Sequence, residues 1–242
     1  ISPPSAEGLR QQVRIYWTRP GTARDRKETV DRLTKVALEL DPNSADVFSD
    51  LSWSYVKLGE YDKALEFGEK ALALKPDHLW AHRNMGVAYK LQGKYGQAIR
   101  QFKTAIALDP DVLHAQIDLA DVYLIQGKYD KAAGELAKTI AQDPNSASAH
   151  SELGLVYSGM GKYDAAASEY MKAIELDSTR AIPHYGLAED HGAQGKYEMA
   201  ISEYSKAIEL EPTNARFHYR LSLFYFSQCD LARSITASQK AA

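Results

Sequence analysis

Apolar positions along this chain follow two superposed rhythms, one helical and one 34 residues long. Between Ala45 and Pro76, Phe48, Leu51, Ser52 and Tyr55 fall at i, i+3, i+4 and i+7, one face of an α-helix. Tyr61, Ala64, Leu65, Ala71, Leu72 and Leu74 form the apolar stripe of a second helix. Gly59 lies between them, where a C-terminal cap favours a residue that tolerates the left-handed conformation. Lys75-Pro76 closes the second helix, because the residue before proline is pushed out of the α region. The pattern predicts two short antiparallel helices.

The same marks return every 34 residues. Pro42, Pro76, Pro110, Pro144 and Pro212 share one grid, with Ser178 at the remaining node. Gly59, Gly93, Gly127, Gly161 and Gly195 lie on it, as do Tyr61, Tyr95, Tyr129, Tyr163 and Tyr197. So do Ala64, Ala98, Ala132, Ala166 and Ala200. A fixed period of this length means stacked helix pairs rather than one globular core. Ser52, Gly86, Ala120, Gly154, Ala188 and Ser222 also share a phase, and such small side chains let two helices approach to about 8–10 Å. Neither helix has enough apolar area to be stable alone, so stability is expected from stacking.

The units start at 45, 79, 113, 147, 181 and 215, and the array runs over 45–242. The sixth is degenerate or capping: Cys229, Leu231 and Ser234 replace its Gly, Tyr and Ala. Before the array, 9–41 reads as a divergent helix pair. Leu9, Val13, Tyr16 and Trp17 mark one helix, and Val30, Leu33, Val36, Ala37 and Leu40 the other. Residues 1–8, with Pro3-Pro4, read as a linker. The chain opens at Ile1 rather than Met, which is expected of a processed or excised form.

Composition narrows the function classes. The 45% hydrophobic and 25% charged content of the 242 residues is ordinary for a soluble folded protein. A net charge of −3 argues against broad nucleic-acid affinity. No run approaches the roughly 18 apolar residues of a membrane span. The single cysteine, Cys229, excludes an internal disulfide and a cysteine metal cage. It suits a reducing cytosol, which is slightly favoured, and does not exclude a periplasm.

Catalytic chemistry is not legible. His150, His184 and His218 are evenly spaced, but equal spacing in a stack means one per layer, about 16–20 Å apart at about 8–10 Å per helix. Zinc ligands must all sit about 2 Å from one ion, so packing is the expected role. Gly161-Lys162 is followed by Tyr, not the Ser or Thr of a phosphate loop. Glu189, Asp190 and His191 are adjacent, and adjacent helical residues point apart. The chain is not expected to be an enzyme, and no cofactor or metal site is expected.

The unit resembles the tetratricopeptide repeat, whose pattern runs Trp-x2-Leu-Gly-x2-Tyr, then Ala, Phe or Tyr, and Pro. The fourth unit reads His150, Leu153, Gly154, Tyr157, Ala166, Tyr170 and Ala173. The bulky first position departs from the family, carrying Phe48, His82, Gln116, His150, His184 and His218. The string Tyr16-Trp17-Thr18-Arg19-Pro20 is also similar to the opening repeat of some bacterial regulators that carry such arrays behind an effector domain. The tetratricopeptide resemblance implies an all-α, right-handed α-solenoid of antiparallel helix pairs. It further implies a concave groove lined by the first helix of each pair.

Carried over residue by residue, that groove holds Trp53, Trp80, Arg83, Asn84, Val87, His114, Asp118 and Asp121. It continues with Glu152, Leu155, Tyr185, Glu189, Arg216, Tyr219 and Arg220. Asp118, Asp121, Glu152 and Glu189 make its middle acidic, while Arg83 precedes them and Arg216 and Arg220 follow. The family's carboxylate clamp is not expected, since the neighbours of Asn84 would be Ser49, Trp53, His114 and Asp118 rather than cations. The resemblance therefore implies a scaffold that binds a protein or peptide segment with basic or apolar residues. A self-assembling array and a regulatory module of a larger signalling protein are the other expectations.

Overall fold

The computed structural model describes residues 23–227, and among these there are twelve α-helices and no strand. They are α1 (Ala23–Leu40), α2 (Ala45–Leu58), α3 (Tyr61–Leu74), α4 (Leu79–Leu91), α5 (Tyr95–Leu108) and α6 (Leu113–Ile125). Then follow α7 (Tyr129–Gln142), α8 (Ala147–Gly159), α9 (Tyr163–Leu176), α10 (Ala181–Ala193), α11 (Tyr197–Leu210) and α12 (Ala215–Ser227). The linker at 1–8, the helix expected around Leu9–Trp17, Cys229 and the second helix of the last repeat lie outside the described residues. Among the described residues no helix is long and apolar enough to cross a membrane.

Several helix boundaries have a local cause. The five turn glycines adopt φ between 69° and 77°, a conformation that costs a side-chain-bearing residue about 1–2 kcal/mol. Gly59 caps α2 in this way, and the Glu60 amide donates back to the Tyr55 carbonyl at 3.0 Å. At N-termini, the amide of Val47 donates to Ser44 Oγ at 3.3 Å and that of Ala81 to His78 Nδ1 at 3.2 Å.

The chain divides into an N-terminal half through Val122 and a C-terminal half from Tyr123. In the N-terminal half α1 packs on α2, α2 on α3, α3 on α4, and α4 on both α2 and α5. In the C-terminal half α7 packs on α8, α8 on α9 and α10, α9 on α10, α10 on α11 and α11 on α12. Each half is thus a stack of antiparallel helix pairs, an all-α fold of the α-solenoid class.

Small residues set the helix approach. Ser52 Oγ donates to the Ala64 carbonyl at 2.7 Å, joining α2 to α3. A Cβ on Gly86 would stand 2.6 Å from Cε1 of the buried Phe102. Tyr170, fully buried, fills the space that Gly154 of α8 and Gly186 of α10 leave on its two sides. In the last pairs Tyr185, Tyr204, Phe217 and Leu221 close around Ala181, Ala188, Ala200 and Ala207.

The first motif position is aromatic only in the first repeat, where Phe48 stacks on Phe67, and in the next three repeats it works through hydrogen bonds. His82 Nδ1 lies 2.7 Å from Gln101 Oε1 and its Nε2 lies 2.9 Å from the Pro76 carbonyl. His150 repeats this with Glu169 Oε2 at 2.7 Å and the Pro144 carbonyl at 3.2 Å. Gln116 keeps the loop half, donating from Nε2 to the Pro110 carbonyl at 2.8 Å. Each ring tethers the preceding loop and the second helix of its own pair.

Candidate binding surface

The exposed side of the first helices is built differently in the two halves. In the N-terminal half it is a stack of cations and indoles. Lys57 Nζ stands 4.8 Å from the Trp53 ring centre, and the Arg83 guanidinium 5.3 Å from Trp53 and 5.9 Å from Trp80. Trp53 is half-buried and Trp80 is 48% exposed. Arg83 Nε donates to Asp118 Oδ2 at 2.9 Å, and Lys90 Nζ to Asp121 Oδ2 at 2.8 Å. His114 is exposed. Asn84 and Val87 are buried, and Asn84 Nδ2 donates to the Ser49 carbonyl of α2 at 3.0 Å.

In the C-terminal half the face gathers on α10 and α12. Glu189 accepts from Tyr204 Oη and from two nitrogens of Arg220. The bond to Glu189 holds the Arg220 guanidinium above its ordinary range, and burial followed by the same carboxylate raises the Tyr204 phenol. Tyr185 is buried, its ring 5.1 Å from Phe217, and the Arg216 guanidinium caps it at 5.0 Å. Beyond it α12 exposes Tyr219 (55%), Leu223 (42%) and Phe226 (62%) at i, i+4 and i+7. Glu152 and Leu155 are half-buried, Leu155 packing against the Tyr170 and Leu187 cluster.

The structure brings Trp53, Trp80, Arg83, Asp118 and Asp121 together on one face, and Tyr185, Glu189, Arg216 and Arg220 on another. The acidic middle and basic flanks that are separate along the sequence meet as ion pairs. First helices of successive repeats lie side by side, so a charge finds its partner 31–35 residues away. Asn84, Val87 and Tyr185 turn into the packing between first helices rather than toward solvent.

Sequence reasoning missed a polar cluster that joins the fourth and fifth repeats. Ser158 Oγ donates to Asp190 Oδ2 at 2.7 Å, and Tyr170 Oη then donates to Ser158 across 3.0 Å. Burial pushes the Asp190 carboxyl up from its ordinary range, with Ser158 pulling the other way. Beside it, burial lowers His191. The signal was available: Asp190 carries charge on a grid otherwise held by Ser54, Ala88, Val122, Val156 and Phe224. Among the described residues no group of three His, Cys, Asp or Glu side chains could hold a metal ion.

Comparison with known families and structures agrees with this geometry. Tetratricopeptide repeat profiles match residues 33–66, 89–154 and 147–180, and a profile described as TPR repeat matches 54–93 and 190–228. No curated protein matches the chain. The crystal structure of the APC/C hetero-tetramer Cut9-Hcn1 is similar at a TM-score of 0.78 and 18% identity, over 89% of this chain. The match spans only 43% of the chain in that structure. TTC0263, a thermophilic TPR protein of Thermus thermophilus, is similar at 0.69 and 24% identity, over 76% of this chain and 100% of its own. YrrB, described as a TPR protein with an unusual peptide-binding site, is similar at 0.55 and 21% identity, over 80% of this chain and 97% of its own. Since 416 solved chains match, the fold by itself does not select a partner.

Proposed function

Because the chain belongs to the tetratricopeptide repeat family, whose fold generally mediates contacts between proteins, we propose that it is an interaction scaffold that holds a partner segment along its first-helix faces. Its work is binding, not catalysis. The observation that carries this reading is the set of large apolar side chains left in solvent there: Trp80, Tyr219, Leu223 and Phe226. Aromatic anchors of this kind are enriched among residues that dominate binding energy. Ion pairs on the same helices, Arg83 with Asp118 and Arg220 with Glu189, accompany them, and partner charges would then govern encounter and selectivity more than affinity. The unusual peptide-binding site of YrrB and the hetero-tetramer of Cut9-Hcn1 are in keeping with such a role.

The test captures a partner on the immobilised chain and compares two variants of unchanged melting temperature. Tyr219→Ala combined with Phe226→Ala removes the anchors of α12. Met171→Glu alters an exposed apolar residue on a second helix, α9. Loss of capture with the first variant and retention with the second is the expected result. The reverse pattern would place binding on the second helices and sink the proposal.

A further inference from the structure

The cation and indole stack of the N-terminal half ends in an indole that still faces water. Trp53 has two cations, Lys57 at 4.8 Å and Arg83 at 5.3 Å. Arg83 in turn touches two rings, whereas Trp80 has one cation, at 5.9 Å, and remains 48% exposed. An indole attracts a cation through its quadrupole, so the open end of such an alternation favours one more positive group.

The neighbouring carboxylates decide where that group can be neutralised. Asp118 and Asp121 already receive Arg83 and Lys90, and their side chains are 16% and 31% exposed. Asp46 differs in exposure. Its Oδ1 lies 3.0 Å from Nε2 of His78, the residue that caps α4 two positions before Trp80, and its side chain is 57% exposed. Asp46 and Trp80 hold the same position in successive repeats, on α2 and α4, which pack together. A solvent-facing carboxylate and a half-exposed indole therefore stand at matching positions on adjacent helices.

Resting on the reading that first-helix faces bind a partner segment, we infer that Trp80 and Asp46 form the subsite for an Arg or Lys side chain of that segment. The cation stacks on the indole and its N–H groups donate to Asp46, a charge-assisted bond stronger than a neutral one. The partner is thus a segment that presents a basic residue to the N-terminal half, with apolar residues beside it for the remaining anchors.

A phage-displayed library of random dodecapeptides, panned against the whole chain, supplies the probes. Recovered peptides are remade and titrated by fluorescence anisotropy against the chain and against Trp80→Ala, Asp46→Asn, and Tyr219→Ala with Phe226→Ala. Enriched peptides should carry Arg or Lys, and Trp80→Ala and Asp46→Asn should each weaken them about fivefold to tenfold. Replacing the peptide's basic residue by norleucine should cost the same in the parent and almost nothing further in Trp80→Ala, the mark of direct coupling. Peptides that ignore Trp80 and Asp46, or that carry acidic residues in place of basic ones, while losing affinity for the Tyr219 and Phe226 variant, overturn this subsite and leave the broader reading standing. A library whose binders ignore every first-helix variant overturns both.

Discussion

Gly154 and Tyr170 meet so closely that a Cβ on Gly154 would stand 2.5 Å from Cε1 of the tyrosine. The ring is fully buried and cannot move aside, since Gly186 confines it on its other side. Gly154→Ala gains about 0.5–1 kcal/mol of helix propensity but overpacks a full site at about 1–3 kcal/mol. A net loss of roughly 1–2 kcal/mol in urea denaturation is expected. Gly134, within α7, has nothing within 4 Å of the same added atom, so Gly134→Ala should stabilise by about 0.5–1 kcal/mol. Two Gly→Ala changes with the same sign would refute this account of helix spacing.

The histidine tether makes a separate prediction. His150→Ala removes bonds to Glu169 and to the Pro144 carbonyl and should cost about 1–2 kcal/mol. His150→Gln should lose clearly less, because Gln116 shows that an amide reaches the equivalent carbonyl, that of Pro110. Equal losses by chemical denaturation would show that the ring acts through bulk alone.

Asp190 should be a stability cost at neutral pH. The residue is 5% exposed and burial raises its folded-state pKa, so folding disfavours the ionised form. Asp190→Asn should therefore raise the melting temperature at pH 7. The gain should fade as the pH drops through the ordinary carboxylate range, where Asp190 is protonated in both folded and unfolded chains. Glu203 runs the opposite way. His184 at 2.6 Å and Lys206 at 2.8 Å outweigh burial and lower its pKa, so its contribution is present above that range and is lost on acidification. Melting curves of Asp190→Asn and Glu203→Gln from pH 3 to 7 separate the two signs.

Asn84 separates packing from recognition. Its buried Nδ2 donates to the Ser49 carbonyl across the α2 and α4 interface. Asn84→Ala should lower stability by about 0.5–1.5 kcal/mol, since a hydrogen bond that ties the two helices is lost. A variant as stable as the parent would mean that this bond contributes nothing to the joint between repeats.

How much of this was legible in the sequence depends on which physics fixed each feature. The helix pairs follow from the 3.6-residue period, the left-handed glycines and the prolines, all local signals, and the structure reproduces them. The glycine at 154 and the tyrosine at 170 announce close packing because both recur in phase. Ion pairs such as Arg83 with Asp118 were not legible, because the period gives adjacency of repeats but not which rotamers meet. For the same reason Asn84 and Tyr185 read as groove positions while their side chains turn into the stack. The Asp190 cluster lay in view as a break in an apolar grid, and only burial explains its consequence.

The ion pairs between successive first helices also bear on how such a chain can change length. Positions 118 and 152 are equivalent, as are 121 and 155. Excising one whole repeat, residues 113–146, would bring Glu152 to the place of Asp118 beside Arg83, but Leu155 to that of Asp121 beside Lys90. The repeat register would be kept by the excision, and chemistry would register it as one lost pair. Repeats that share a register are thus matched in charge where Arg83 meets Asp118 and where Arg220 meets Glu189, and the order of the repeats is itself part of the information in the chain.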